Sequence, residues 1–272
     1  MIKVALLSPI HNSLYSRLVA QQVIREAGLE LVCAVVRTPW DLKRIRSEMT
    51  RDGVRLLKKV QQKLILGEAA YPADDTETLP ALARHMDLEA GSLNELCRQQ
   101  NVPCLTVRDH NEARALDLLR GLKPDVIAFT GGGLLRKEIL SIPSLGVLNC
   151  HSGILPLYRG MDVVEWPMIE GRLDDVGVGL TLHFMDPGVD TGPILLQRRV
   201  QVRPGDTSVS LRRHMEPQMV EVMLEGLRGL RDGSVTPRPQ RAEDGRQYFV
   251  MHPRIEACAE RRLAEKNDIN NV

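Results

Sequence analysis

Two stretches of the sequence combine side chains that could carry out acyl transfer. Residues 146–160 contain Asn149 and His151, and residues 179–194 contain Asp186 and Asp190. An amide N–H can stabilise an oxyanion, and an imidazole can gain or lose a proton near neutral pH. A carboxylate close to the imidazole raises its basicity. Brought together, these groups would suit the attack of a nucleophile on a carbonyl carbon.

A predicted strand over residues 146–150 contains Asn149 and is followed directly by His151. Alternate residues of a strand point to the same face, so the two side chains should converge on one spot. Open α/β sheets bind ligands at the carboxyl ends of their parallel strands. Each feature alone is a weak signal, because a histidine at a strand end is often structural and Asp-Pro-Gly is ordinary turn chemistry.

The combined pattern resembles the formyltransferase family that uses 10-formyltetrahydrofolate. The residues that carry the resemblance are N-x-H at the strand end, the following L-P and R-G, and then T-x-H and D-x-G-x-D-x-G-x-I. The resemblance covers roughly residues 80–200 well and the first βαβ unit more loosely. The family includes glycinamide ribonucleotide, methionyl-tRNA and amino-sugar formyltransferases. It implies an α/β fold with a Rossmann-like, mostly parallel sheet and helices on both faces.

The resemblance also implies the roles of the catalytic residues. Asn149 matches the asparagine that donates its amide N–H to the oxyanion, and His151 matches the histidine that takes part in proton transfer. Asp190 matches the aspartate that orients and charges the imidazole. Direct transfer of this kind needs no nucleophilic side chain and no metal, so no metal site is expected.

The formyl donor, 10-formyltetrahydrofolate, is implied to lie against residues 129–135 and the loop 182–191. The donor-binding residues expected from this are Phe129, Gly131, Gly132, Gly133, Leu134, Leu135 and Asp186. Consecutive glycines after a strand would suit a close approach of backbone to ligand. Asp186 has an alternative interpretation as a turn-capping carboxylate. A dinucleotide cofactor is not expected, since the first turn after a strand, residues 8–13, contains no glycine.

Four residues are expected to contact the acceptor substrate: His11, Ser152, Tyr158 and Arg159. Arg159 could instead be a surface or helix-positioning arginine. The chain departs from the family pattern just after the histidine, because many members have serine two residues later. Here Ser152 follows His151 directly and Gly153 takes the second place, which leaves open how this turn holds substrate or water.

A small-molecule primary amine is the expected acceptor, with a nucleotide-linked amino sugar first and an amino acid or natural-product amine next. Glycinamide ribonucleotide enzymes bind the substrate phosphate with a glycine-rich first loop, which residues 8–13 lack. The tRNA enzymes carry a C-terminal barrel, for which residues 201–272 are too short. Methionyl-tRNA and glycinamide ribonucleotide remain alternative acceptors. Two alternative functions from other classes are a formyltetrahydrofolate hydrolase and a non-catalytic folate-binding module.

The elements that must position these residues alternate as β, α, β from the first residues onward, which favours a parallel sheet. The catalytic domain is predicted to span residues 1–200, with a helical insertion at about 39–92, and residues 201–272 form a small α-rich extension. A long helix is expected over residues 207–231, interrupted at Pro217. Residues 41–66 are basic, which fits either a docked amphipathic helix or a lid that steers anions.

The amino-acid composition limits the kinds of partner that this protein is expected to bind. The 272 residues carry 36 Lys+Arg and 35 Asp+Glu, a net charge of +1, so no overall field would hold nucleic acid or a membrane. No apolar run approaches the roughly 20 residues that a membrane helix needs. The five cysteines include no C-x-x-C pair, which excludes a motif-spaced zinc site. A cytoplasmic protein is expected, as a possible homodimer, with neither nucleic acid nor membrane as a partner.

Overall fold

The computed structural model describes residues 1–38 and 76–269, with side chains up to residue 266. The basic stretch 41–66, and with it the first part of the predicted insertion, lies outside the described residues. Among the helices within these ranges, none combines the length and apolar character that a bilayer span requires.

A seven-stranded sheet forms the centre of the molecule. Its strands are β1 (Ile2–Ser8), β2 (Leu29–Arg37), β3 (Cys104–Val107), β4 (Val126–Phe129), β5 (Gly146–His151), β7 (Val178–Phe184) and β8 (Ile194–Val200), in the order β3-β2-β1-β4-β5-β7-β8. Strands β1 to β5 pair in parallel, whereas β7 runs antiparallel to both β5 and β8. The short strands β6 (Tyr158–Gly160) and β9 (Arg246–Tyr248) form a separate parallel pair.

Helices cover both faces of this sheet. They are α1 (Leu14–Arg25), α2 (Leu79–His85), α3 (Leu93–Gln99), α4 (Ala113–Leu122), α5 (Lys137–Leu140), α6 (Trp166–Ile169), α7 (Ser208–Asp232) and α8 (Pro253–Ile269), with a 3-10 helix at Ala242–Asp244. The α/β fold with a mostly parallel sheet, predicted from the sequence, is confirmed.

The alternation of side chains along β1 explains why both faces need helices. Val4 and Leu6 lie in one apolar cluster with Leu18 of α1, and the alternate residues Ala5 and Leu7 lie in a second cluster with Leu119 of α4. All of these side chains are fully buried. A strand buried on both faces is continuously apolar, as residues 4–7 of β1 are, and this is typical of a parallel sheet between two helical layers.

The prediction that Pro217 interrupts the long helix is wrong. Helix α7 runs unbroken through Pro217 from a capping box at Thr207 and Ser210 to Gly233, whose φ of 67° ends it. Its apolar face, which includes Leu211 and Met215, is buried in the same cluster as β1 and α1. Packing along the whole helix therefore outweighs the loss of one backbone hydrogen bond at proline. The domain boundary at residue 200 stays a prediction.

Candidate active site

A row of side chains crosses three neighbouring strands at one edge of the sheet. Phe129 is the register partner of Asn149 in the parallel pair β4–β5, and Asn149 is the partner of His183 in the antiparallel pair β5–β7. Directly opposed residues of neighbouring strands lie on the same face. The Asn149 amide nitrogen Nδ2 is accordingly 3.2 Å from His183 Nε2. The sheet register thus brings together an amide and an imidazole at the carboxyl end of β5.

Asp190 joins this row from the loop between β7 and β8. Its Oδ2 is 3.5 Å from His151 Nδ1, and its Oδ1 is 3.5 Å from His183 Nε2. The Gly160 backbone N–H donates to the same Oδ2 at 2.9 Å. Asn149, His151 and Asp190, which the sequence analysis predicted as a catalytic set, therefore lie in one cluster, and His183 lies between Asn149 and Asp190.

The hydrogen bonds of His151 fix the form of its ring. Nε2 lies 2.8 Å from the Tyr158 carbonyl oxygen, which can only accept, so Nε2 carries a proton. In the neutral ring Nδ1 is then unprotonated and faces Asp190. Burial lowers the pKa of His151 below 6.5, although Asp190 and the Tyr158 carbonyl oppose the effect. His151 is therefore a neutral base at neutral pH, with Nδ1 as its basic atom.

Asp190 remains ionised in this setting. Burial acts to raise the pKa of its carboxyl, but the neighbouring His183 and His151 imidazoles and the Gly160 N–H together bring the pKa below 3.8. An anion beside a neutral imidazole stabilises the imidazolium that forms when the imidazole takes up a proton. The pair is thus prepared to accept a proton from a substrate.

His183 is the residue that the sequence analysis did not assign. Its Nδ1 lies 2.8 Å from the Phe184 carbonyl, so Nδ1 carries the proton and Nε2 accepts from the Asn149 amide. One amide hydrogen of Asn149 is thereby used, and its second remains to donate to a substrate oxygen. The sequence did contain a signal for His183, because the T-x-H of β7 has the same alternate spacing of polar side chains as the N-x-H of β5.

Position 153, where the chain departs from the family pattern, has little room for a side chain. A Cβ atom at Gly153 would lie 2.7 Å from His151 Nε2 and 2.9 Å from the Tyr158 carbonyl oxygen. The Thr181 hydroxyl donates to the Gly153 carbonyl at 2.7 Å and holds the turn in place. Glycine at this position therefore leaves room for the bond between His151 and Tyr158.

The side chains predicted to contact the acceptor have other partners in the described structure. The Tyr158 hydroxyl donates to Glu170 at 2.8 Å, and Arg159 donates to Gln240 and to two main-chain carbonyls. His11 Nε2 lies 2.9 Å from the Thr106 hydroxyl, and Ser152 is half-buried. Within β6 it is the backbone that reaches the catalytic cluster. Acceptor binding by these four residues stays a prediction.

The predicted donor-binding segment, residues 129–135, starts at Phe129, the last residue of β4. Gly131, Gly132 and Gly133 have φ of 120°, 123° and 97°, which side chains other than glycine rarely adopt. They carry the chain to Leu134, whose side chain is 84% exposed, and to the half-buried Leu135. This loop starts beside Asn149, because Phe129 and Asn149 are register partners.

Asp186, which was grouped with the donor-binding residues, caps a turn. Its Oδ1 accepts from the Gly188 N–H at 3.0 Å and from the Thr191 hydroxyl at 2.6 Å. These contacts are the ones expected of a turn-capping carboxylate, and they shape the loop that carries Asp190. A contact of Asp186 with the donor stays a prediction.

Cys150 lies between Asn149 and His151 but faces the core, where it is 5% exposed. Burial raises the pKa of its thiol to about 12. We expect Cys150 to resist alkylation in the folded protein and to react on unfolding, because the thiolate is the reactive form. Peptide mass spectrometry after timed labelling measures this, with the less buried Cys258 as the control. Labelling of Cys150 as fast as Cys258 would contradict its placement in the core.

Comparison with known proteins places this chain in a family. A sequence profile of the formyl transferase family matches residues 81–227, more than half of the 272 residues. The chain belongs to the formyl transferase family.

Two sequence relatives illustrate the extent of the similarity. A methionyl-tRNA formyltransferase of Thermodesulfovibrio yellowstonii is 32% identical over 161 residues, which cover 59% of this chain and 51% of the relative. A methionyl-tRNA formyltransferase of Pelobacter propionicus is 35% identical over 149 residues, covering 54% and 46%. The alignments thus span about half the length of these curated relatives.

Solved structures share the fold. A phosphoribosylglycinamide formyltransferase of Anaplasma phagocytophilum is similar with a TM-score of 0.56 and 15% identity, over 91% of this chain and 99% of that chain. A sugar N-formyltransferase of Shewanella gives a TM-score of 0.55 and 12% identity, over 97% and 88%. At sequence identities this low, the similarity shows that this chain shares the fold of these structures.

Proposed function

We propose that this protein transfers a formyl group from 10-formyltetrahydrofolate to a primary amine, with Asn149, His151 and Asp190 as its catalytic residues. The observation that carries the proposal is the cluster itself. An amide N–H, the unprotonated Nδ1 of a buried imidazole and an ionised carboxylate converge at the carboxyl edge of the sheet. Membership of the formyl transferase family supports the same reaction.

The chemistry follows from what the reaction needs. When a neutral amine attacks the formyl carbon, a C–N bond forms, and an oxyanion and an ammonium appear side by side. Asn149 donates its remaining amide N–H to the oxyanion. His151 Nδ1 accepts the proton of the ammonium, and Asp190 stabilises the resulting imidazolium. When the bond from the formyl carbon to N10 of the donor breaks, the imidazolium returns the proton to that nitrogen, so the charges balance.

The residues of the loop after β4 fit a donor with a flat, partly apolar ring system. Leu134 offers an exposed apolar side chain, and the three glycines before it are half-buried or exposed, so that their backbone groups lie near the surface. Pterin edges carry donors and acceptors that backbone N–H and C=O groups can pair with. The loop starts next to Asn149, so a donor bound there would bring its formyl group towards the cluster.

For the acceptor, we propose a nucleotide-linked amino sugar, within the broader class of small-molecule primary amines. A second candidate is methionyl-tRNA, which is favoured by the names of the relatives that are 32% and 35% identical. The third is water, because the same three residues could pass the formyl group to a hydroxyl.

One experiment separates these acceptors. The protein is incubated with 10-formyltetrahydrofolate and, in parallel, with nucleotide-linked amino sugars, amino acids, methionyl-tRNA or no amine. Mass spectrometry detects formyl addition, and an assay for formate detects hydrolysis. Formylation of an amino sugar alone supports the first proposal, formylation of methionyl-tRNA replaces it with the second, and formate release without an amine identifies a hydrolase. No turnover of the donor under any condition would refute formyl transfer.

His183 should matter through the orientation of Asn149. We expect His183→Ala to lower kcat about tenfold or more. The Asn149 amide would lose the acceptor that fixes its orientation, and its second N–H would no longer be held in position for the substrate oxygen. His183→Gln, whose side-chain oxygen can accept from Asn149, should recover part of the loss. Steady-state kinetics on both variants measure this. Equal kcat values for His183→Ala and the wild type would show that Asn149 needs no such partner.

A further inference from the structure

The chain after helix α7 crosses the loop that carries Asp190. The Gln240 side-chain amide donates from Nε2 to the Asp190 carbonyl at 3.1 Å and to the Gly192 carbonyl at 2.6 Å. Ile194, just beyond this loop, exchanges two backbone hydrogen bonds of 2.8 Å with Arg238. A single side-chain NH₂ group thus uses both of its hydrogens on the two sides of Thr191.

Arg159 determines which way the Gln240 amide points. Gln240 Oε1 accepts from Arg159 Nε and Nη2, each at 3.3 Å. Arg159 also donates to the Arg241 carbonyl at 2.8 Å and to the Ala242 carbonyl at 3.2 Å. A guanidinium has donors only, so it attracts the oxygen of the amide and leaves its NH₂ for the Asp190 loop. At 5% exposure, Arg159 is a buried cation for which such bonds are needed.

Asp190 needs this support because of its backbone. Its φ is 53°, in the left-handed region that residues with a side chain adopt at a cost. Residues persist there when the surrounding structure holds them. Its carboxylate is also 3.5 Å from two imidazoles at once. A small rotation of the loop would change both distances.

We propose that Arg159 and Gln240 are positioning residues, which hold the Asp190 loop so that the carboxylate stays beside His151 and His183. The C-terminal segment thereby completes the site built by the sheet. The expected kinetic effect rests on the proposed function, but the placement of Asp190 beside His151 can be tested without any assay of activity.

Gln240→Glu is the sharpest test variant. Glutamate keeps an oxygen acceptor for Arg159, but it replaces the NH₂ donor with an oxygen that repels the carbonyls of Asp190 and Gly192. Gln240→Asn is the uncharged companion, whose shorter side chain loses its reach to the loop. Gln201→Glu introduces the same charge change at an exposed glutamine outside the site and is the control. Thermal unfolding of all three establishes that they fold.

The first readout is the pKa of His151, followed by NMR titration of the imidazole signals and assigned with His151→Gln. The titratable groups that act on this ring are Asp190 and His183. Because the Asp190 carboxylate favours the imidazolium, displacing it should lower the pKa of His151 in Gln240→Asn, whereas in Gln240→Glu the added carboxylate opposes this fall. The second readout is kcat, expected to fall about tenfold or more, since misplacement of a catalytic group by about 1 Å can be that costly.

The outcomes separate the two hypotheses. If the wild type and Gln201→Glu transfer no formyl group, the proposed function fails, and the NMR titration still decides the positioning role. If both Gln240 variants keep the wild-type pKa of His151, the positioning role is refuted whatever the activity. A pKa change in Gln240→Glu that Gln240→Asn does not share would be the field of the new charge, and it would also refute the proposal.

Discussion

Asn149→Ala, His151→Ala and Asp190→Ala are each expected to lower turnover at least about 10²-fold while the fold survives. In the proposed mechanism Asn149 supplies the oxyanion donor, His151 the base, and Asp190 the charge that stabilises the imidazolium, and each such contribution is of this order. Formyl transfer measured at saturating donor and acceptor gives kcat, and circular dichroism checks the fold. Turnover like that of the wild type in any one variant would remove that residue from the catalytic set.

The same reasoning gives the pH dependence. His151 must be neutral to accept a proton, and burial places its pKa below 6.5. Turnover should therefore hold at neutral pH and fall only as the pH drops through that lower value. Asp190 stays ionised over this range, because its pKa is below 3.8. A fall in kcat with a midpoint above 6.5 would indicate a different base.

Gly160→Ala is expected to produce a large loss of stability. Gly160 has a φ of 96°, and a Cβ there would lie only 2.2 Å from the Tyr248 carbonyl oxygen. The strained backbone and the clash between β6 and β9 together should lower the free energy of unfolding by about 2–4 kcal/mol. Turnover should fall as well, because Gly160 N–H holds the Asp190 carboxylate.

Gly171→Ala is the matched control for this prediction. Gly171 also has a positive φ, 70°, but a Cβ there would meet no heavy atom within 4 Å. Its substitution should cost only the strain of the backbone, about 1 kcal/mol. Chemical denaturation of both variants measures the difference. Equal losses of stability would show that the close approach of Tyr248 to Gly160 does not constrain this position.

The sequence was sufficient to predict the sheet and the three catalytic candidates, because both depend on local patterns. The continuous apolar run of β1 predicts a buried parallel strand, and N-x-H at the end of β5 places two side chains on one face. The family motif then indicated Asp190 as their partner. The described structure brings Asn149 and Asp190 within hydrogen-bonding or ion-pair distance of a common neighbour, His183, and His151 within 3.5 Å of Asp190.

What the sequence could not provide depends on contacts between distant segments. The link from Gln240 to the Asp190 loop joins residues 50 positions apart, and no local pattern predicts it. For Arg159 the sequence left open an acceptor contact or a surface or helix-positioning role, and it gave no sign of the partners that this side chain has in the C-terminal segment. The continuity of α7 through Pro217 likewise depends on packing along the whole helix, which a rule about proline alone does not include.

Strand β6 contacts the residues of the site mainly through main-chain atoms. The Tyr158 carbonyl fixes the protonated nitrogen of His151, and the Gly160 N–H holds Asp190. Alanine substitution of Tyr158 or Arg159 removes a side chain but keeps the peptide groups that make these two contacts. Such substitutions would therefore underestimate this segment, whose contribution is tested directly by a change to the backbone, such as an ester in place of the amide of Gly160.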